Sequence, residues 1–174
     1  ACLNLNLPPD RRGRIHDNDV QSLREFRKIL DATFAQNLAA AAKAEAGNAR
    51  GGSLEYAAAR ALDASRNTYW STDDNATNAE LIVTLAKPAT FNVVALREYL
   101  PLGQRIDAFA LDRWQDGKWI EFAKGTSIGN RRLLRVDAVT TDKVRLRITQ
   151  AAAGPALSEF GLYDEPASGR VQSK

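Results

Sequence analysis

Short apolar segments recur about every ten residues after residue 80, and this spacing limits the folds open to the chain. Apolar and polar residues alternate along them, most regularly where Val144, Leu146 and Ile148 are separated by arginines. This period of two is typical of strands with one buried face. Short strands without intervening helices predict an antiparallel β-sandwich or barrel. We predict strands at 81–85, 91–99, 106–114, 119–123, 133–136, 143–149 and 157–163.

A strand pattern and then a helix pattern precede this region. Leucines at positions 3, 5 and 7 alternate with asparagines, which predicts a strand ended by two prolines. Asn18 and Gln21 have the spacing of a capping box, and residues 39–46 fit either a helix by propensity or a strand by alternation. Apolar residues at steps of three or four predict a helix over 18–38; they are Val20, Leu23, Phe26, Leu30, Phe34 and Leu38.

Charge, cysteine content and hydropathy exclude several classes of protein. The chain has 24 Lys+Arg and 21 Asp+Glu, and a net charge of +3 is too small to indicate a nucleic-acid partner. A single cysteine, Cys2, cannot form an internal disulfide, and with a single histidine, His16, it cannot build a zinc site. The longest apolar run, 38–42, is far shorter than the ~20 residues of a membrane span.

Two parts of the sequence resemble two known families. Residues 5–20, Leu-Asn-Leu-Pro-Pro-Asp-Arg-Arg-Gly-Arg-Ile-His-Asp-Asn-Asp-Val, are similar to the end of the catalytic barrel of α-L-fucosidases of glycoside hydrolase family 29. The remainder resembles a coagulation factor 5/8 type C or discoidin-like domain, akin to carbohydrate-binding module family 32. The segments that carry this second resemblance are 61–70, 96–106 and 158–163.

The resemblance implies a fold and a division of the chain. It implies a mainly β protein, a galactose-binding-like antiparallel sandwich or jelly roll preceded by a strand–loop–helix arm. We expect the arm at 1–38, the sandwich at 39–165 and a polar tail at 166–174. One βα unit cannot bury its own apolar faces, so the helix is expected to pack on the sandwich, on a second copy, or on the barrel of a longer protein.

The resemblance also implies a function without catalysis by this chain. Retaining glycosidases use two carboxyl groups, and in family 29 both lie on barrel segments before the final strand. We therefore expect a non-catalytic module of an α-L-fucosidase that binds fucose- or galactose-containing glycans and is secreted, periplasmic or cell-surface. The alternatives are a sandwich that only buttresses the barrel, and a protein-interaction or adhesion module with an apolar patch at its loop tips.

Sugar recognition needs an aromatic face and a few fixed polar groups. The resemblance implies that these lie on loops at one end of the sandwich. Each candidate has a structural alternative: a core tryptophan, an arginine packed on loop backbone, or a solvated basic loop. Trp114 and Trp119 are interpreted as a cross-strand pair beside the Asp116-Gly117 turn. The candidates for sugar binding are Trp70, Tyr99, Gln104, Arg105, Asn130 and Arg131.

Relatives of this fold often hold a structural calcium, and the matching positions here include Asp63, Thr68 and Glu159. Ser65 stands where an acidic ligand is expected, which removes a negative charge from a hard-cation site. The alternative is that Asp63 caps a turn while Glu159 pairs with a neighbouring arginine. No cofactor is expected to be required.

Overall fold

The chain forms one helix followed by an all-antiparallel sheet structure in a computed structural model that describes residues 4–167. Cys2 and the leucine at position 3 lie outside the described residues. Short 3₁₀ turns lie at Arg50–Gly52, Leu54–Tyr56, Ala58–Ala61 and Leu100–Leu102. The main elements are α1 (Asp17–Thr33), β1 (Lys43–Ala46), β2 (Trp70–Ser71), β3 (Ala79–Glu98), β4 (Ile106–Gln115), β5 (Lys118–Gly125), β6 (Arg132–Ala151) and β7 (Ala156–Tyr163).

Two long strands, β3 and β6, run through both layers of an open sandwich. The first half of β3 pairs with β1 and with the second half of β6, which continues to β4 and β5. The second half of β3 pairs with the first half of β6 and with β7, whose other neighbour is β2. The predicted antiparallel, galactose-binding-like sandwich is confirmed.

The number of strands differs from the prediction, because 81–85 and 91–99 are one strand and 133–136 and 143–149 are another. The pairing register of β3 shifts between Thr84 and Ala89, and Pro88 lies in the unpaired stretch. Proline cannot donate to a ladder, so it is tolerated where pairing lapses. Residues 86–88 are exposed there, so the apolar pattern breaks although the backbone continues.

The core lies between the layers and is filled by aromatic and branched side chains. Trp70, Phe91, Phe109 and Phe160 are fully buried, and β3, β6 and β7 supply most of the aliphatic side chains around them. At the edge, Trp114 and Trp119 face each other across the β4–β5 hairpin with centroids 5.0 Å apart and planes at 68°. They form the cross-strand pair that the sequence predicted.

The arm differs from the prediction in three places. His16, not Asn18, caps α1: its Nδ1 accepts from the amide of Asn18 at 3.2 Å. The helix ends at Thr33 rather than 38, because the Leu38 amide bonds to Leu162 of β7 at 2.9 Å. Residues 4–8 are in no strand, since the described chain brings no sheet edge beside them. No helix of residues 4–167 is long and apolar enough to span a membrane.

The structure also shows the conformation of residues 43–46 and of the segment that follows β7. Residues 43–46 form β1, which pairs with β3. The segment is therefore the strand that its alternation indicated, and not the helix that its propensity also allowed. Beyond β7, Glu165 is buried, because the Asn92 side chain bonds both its amide, at 2.7 Å, and its carbonyl, at 2.9 Å. Polar composition therefore did not reveal that this end of the sandwich is anchored. Residues 168–174 of the predicted tail lie outside the described part.

Candidate functional site

The loops that follow β3 and β5 meet at one end of the sandwich, and a buried carboxyl group joins them. Glu98, the last residue of β3, is 2 % exposed. Its Oε1 accepts from the amides of Arg105 and Ile106 at 2.8 and 2.9 Å, and its Oε2 accepts from the amide of Gly129 at 2.6 Å. One side chain thereby fixes loop 99–105 against loop 126–131.

Three tyrosines from separate segments stack beside this junction. The rings of Tyr69 and Tyr99 are nearly parallel, with centroids 4.1 Å apart, and Tyr56 lies 5.4 Å from Tyr69. All three are half-buried. We call Tyr56, Tyr69 and Tyr99 the tyrosine cluster. The Arg50 guanidinium lies 5.9 Å from the Tyr56 centroid, within cation–π range.

Polar groups hold the turn beside this cluster in place, and burial affects the hydroxyl of Tyr69. Asp73 accepts from the amide of Gly51 at 2.8 Å, and Arg50 pairs with Asp74 at 2.9 Å, so the turn beside Tyr56 is tethered. Burial, together with the neighbouring Tyr56, raises the pKa of Tyr69 above its ordinary value. The Tyr69 hydroxyl therefore remains protonated at neutral pH.

Gln104 and Arg105, the other two candidates on loop 99–105, differ in how accessible their side chains are to a ligand. Gln104 is exposed. The Arg105 guanidinium donates to the carbonyls of Leu102, at 3.2 Å, and Gly154, at 2.9 Å. Arg105 thus packs against loop backbone, which was the structural alternative for it.

Trp70 is buried in the core rather than at the site. Its side chain is fully buried, and its indole N–H donates to the carbonyl of Asn48 at 3.0 Å. A sugar ring stacks on an aromatic face only where that face reaches solvent. Trp70 is therefore corrected from a sugar-binding candidate to a core residue.

The side chains of Asn130 and Arg131 are held by Arg97 and Glu159. Arg97 donates from Nε to Glu159 at 3.0 Å and from Nη1 to the Asn130 side chain at 3.3 Å. Arg131 lies 3.6 Å from the other oxygen of Glu159 and 5.6 Å from the ring centroid of Phe34 on the arm. The predicted sugar-binding residues therefore divide between two places, apart from Trp70.

The predicted calcium ligands Asp63, Thr68 and Glu159 each have partners within the protein. Asp63 accepts from the Thr68 hydroxyl at 2.8 Å and from the Ser65 amide at 3.0 Å, so it caps its own turn. Glu159 is occupied by two guanidinium groups, whose positive charge opposes a cation. No cluster of three or more acidic, cysteine or histidine side chains suited to a metal occurs among residues 4–167.

Sequence reasoning missed the residues that organise the site. Tyr56 and Tyr69 were not candidates for sugar binding, and neither were Arg97 and Glu98, which lie in a predicted strand and in a segment that carries the discoidin-like resemblance. Their partners lie up to 62 positions away, as with Arg97 and Glu159, and no spacing rule links such positions. A charged pair at the end of a long apolar strand is the signal that could have marked them, because such residues are rarely buried without partners.

Comparison with known proteins gives the family of the sandwich. The model of the F5/8 type C domain matches residues 41–161, which cover β1 to most of β7. The chain belongs to the F5/8 type C domain family. The matched region includes the tyrosine cluster, Glu98 and the Arg97–Glu159 pair.

The similar whole proteins are α-L-fucosidases. The chain is 32 % identical over 169 residues to alpha-L-fucosidase 1 of Arabidopsis thaliana, covering 95 % of this chain and 33 % of that protein. It superposes with a TM-score of 0.87 and 29 % identity on a Ruminococcus gnavus GH29 fucosidase in complex with fucose, covering 95 % of this chain and 34 % of that one. The chain thus spans about a third of the length of the fucosidases it matches.

Proposed function

We propose that this chain is the non-catalytic C-terminal domain of a retaining α-L-fucosidase and acts there as a carbohydrate-binding module. In this role it holds fucose- or galactose-containing glycans near a catalytic barrel, in a protein located outside the cytoplasm. The F5/8 type C fold and the similarity to fucosidases over 95 % of the chain support the assignment to such a protein. The tyrosine cluster supports the sugar-binding role.

The observation that carries this proposal is the position of the tyrosine cluster. Tyr99 and Tyr56 are half-buried on loops at one end of the sandwich, where a ligand can approach without disturbing a sheet. Their rings offer apolar surface to the C–H face of a pyranose, and the exposed Gln104 offers amide groups to its hydroxyls. Glu98 and Asp73 hold the surrounding backbone rigid, which reduces the entropy that binding costs.

Replacing Tyr99 by alanine should weaken sugar binding up to about tenfold, because one stacked aromatic contributes up to about 1.5 kcal/mol beyond its area. Titration calorimetry of the 174-residue chain against L-fucose, D-galactose and lactose measures this. Tyr99→Phe keeps the stack on Tyr69 and is the matched control, which should retain binding within about threefold.

Two results would contradict sugar binding at the tyrosine cluster. One is the absence of heat with all three sugars at millimolar concentration. The other is a measurable affinity that is equal in the wild type and in Tyr99→Ala, with both variants equally stable. The first result favours the buttress alternative, and the second places the sugar elsewhere on the domain.

The buttress alternative has its own observation, the apolar side chains exposed along α1. Phe26 is 41 % exposed and Leu30 is 37 % exposed. Leu133 at the start of β6 is 48 % exposed and lines a surface groove together with Leu30. Phe34 at the end of α1 is covered by Tyr163, with centroids 4.9 Å apart. The arm thus packs on the sandwich at its C-terminal end, and the exposed apolar side chains of α1 suit the barrel or a second copy.

Replacing Leu30 by glutamate should lower binding of a hydrophobic dye to the chain by half or more, since the charge interrupts this apolar face. Fluorescence of anilinonaphthalene sulfonate and light scattering measure dye binding and self-association. Leu54→Glu, at an exposed leucine on a distant turn, is the matched control. If Leu30→Glu leaves both dye binding and the molecular mass in solution unchanged, the apolar face of α1 is not a binding surface.

A further inference from the structure

A cavity of about 280 Å³ lies between residues 61–66, Arg131 of the loop before β6, Arg97 of β3 and the side chains of β7. It is separate from the tyrosine cluster. Three arginines and one carboxylate dominate its charge, and hydroxyl groups complete its polar lining. These charged and hydroxyl-bearing lining residues include Arg66, Arg97, Arg131, Glu159, Ser65 and Tyr163. We call this space the arginine cavity.

The arginine cavity carries an excess of positive charge. Arg66, Arg97 and Arg131 supply three positive charges, whereas Glu159 supplies one negative charge. Arg97 is the most enclosed, with a side chain only 9 % exposed. A guanidinium in such surroundings is costly unless anionic groups compensate it. Glu159 compensates Arg97 and Arg131 jointly, so the cavity remains favourable to a further anion.

The donors in the arginine cavity suit an oxyanion rather than a metal. Glu159 and the Asn130 oxygen use two of the five N–H groups of Arg97, and a guanidinium presents its donors in a planar fork that matches carboxylate or sulfate. Burial, and then the nearby Glu159, raise the pKa of Tyr163, so its hydroxyl also remains a donor. Each of these groups donates, whereas calcium requires oxygens that accept.

We infer that the arginine cavity binds the carboxylate or sulfate group of an acidic monosaccharide unit. The volume is close to the lower end of small-molecule sites, which suits one sugar ring or its charged substituent. Arg131 and Arg66, at the open side, contact the incoming anion, while Arg97 fixes Glu159 behind them. The site does not rest on sugar binding at the tyrosine cluster, and it includes Glu159, one of the three predicted calcium ligands.

Titrating the chain with D-glucuronate and with neutral D-glucose at constant ionic strength tests this inference. Glucuronate should bind at least tenfold more tightly than glucose, and inorganic sulfate should displace it. Arg131→Gln should weaken glucuronate binding about tenfold, since it removes one charge-assisted contact. Arg132→Gln, the neighbour outside the cavity lining, is the matched control and should bind as the wild type does.

The outcomes separate this site from the tyrosine cluster. Tyr99→Ala should leave glucuronate binding unchanged, and Arg131→Gln should leave binding of L-fucose and D-galactose unchanged. Equal affinity for glucuronate and glucose would overturn the inference, and so would equal losses in Arg131→Gln and Arg132→Gln. Thermal melts of each variant, expected to match the wild type because Arg131 is largely exposed, exclude a folding defect as the cause.

Discussion

Replacing Glu98 by alanine should lower the free energy of unfolding by about 4 kcal/mol and the melting temperature by roughly 10 °C. The Glu98 carboxyl accepts three backbone amides, from Arg105, Ile106 and Gly129. Each buried donor left without an acceptor costs about 1–3 kcal/mol. Urea unfolding measures the free energy, and calorimetry measures the melting temperature. The loss is large compared with a typical total stability of about 5–15 kcal/mol.

Glu98→Gln distinguishes the two hydrogen bonds accepted by Oε1 from the one accepted by Oε2. The amide oxygen can still accept from Arg105 and Ile106, but an NH₂ group then faces the amide of Gly129. We therefore expect about half the loss of Glu98→Ala, together with faster hydrogen exchange confined to loop 126–131. Glu80→Ala, at an exposed position of the same strand, should cost under about 1 kcal/mol. Equal stability of Glu98→Ala and Glu80→Ala would refute this role of Glu98.

Replacing Asp112 by asparagine should lower the free energy of unfolding at pH 7 by about 3 kcal/mol. Asp112 is 2 % exposed on β4 and accepts from Arg145 at 2.8 Å and from Arg147 at 2.7 Å. Glu80 forms an ion pair with Arg145, and Glu121 forms one with Arg147. Removing the central charge leaves two partly buried guanidinium groups with only their exposed partners.

The effect of Asp112 should depend on pH in a defined direction. Burial by itself would raise the pKa of Asp112, but hydrogen bonds from Arg147 and Arg145 outweigh burial and hold that pKa below its ordinary value. The ionised carboxyl therefore adds stability that is complete above the unfolded-state pKa of about 3.9 and is lost as pH falls through the lower folded-state value. The difference between wild type and Asp112→Asn should be constant from pH 7 to 5 and shrink below about pH 4.

Urea unfolding at several pH values measures this difference directly. Asp107→Asn, at an exposed position of the same strand, is the control and should change the free energy of unfolding by under about 0.5 kcal/mol at every pH. A difference below about 1 kcal/mol for Asp112→Asn at pH 7 would show that Glu80 and Glu121 suffice to compensate the arginines. A difference that grows on acidification would contradict the direction of the pKa change.

Local patterns predicted the elements whose environment matches their own sequence. The alternation of Val144, Leu146 and Ile148 with two arginines marks a strand with one buried face, and all three apolar residues are buried. The Asp116-Gly117 turn also followed from local chemistry, because both residues adopt positive φ. In such places the local sequence pattern and the observed backbone conformation agree.

Tertiary contacts overrode local patterns elsewhere. The helix pattern continues to Leu38, but α1 ends at Thr33 because the Leu38 amide finds a partner in β7. The break in pattern around Pro88 suggested two strands, yet β3 remains continuous because its two halves pair in different layers. Helix length and strand continuity therefore depended on where backbone donors found acceptors.

Hydrophobic period and short motifs are local properties, and from them alone follow the class of fold, the antiparallel arrangement and the resemblance to fucosidase modules. The sites depend on packing between distant segments. Packing brings Tyr56, Tyr69 and Tyr99 together and directs two arginines at Glu159, one of the predicted calcium ligands. Stacking and ion pairing act over a few ångströms between residues that are distant in the chain, so their partners are set by the packing of loops and not by sequence spacing.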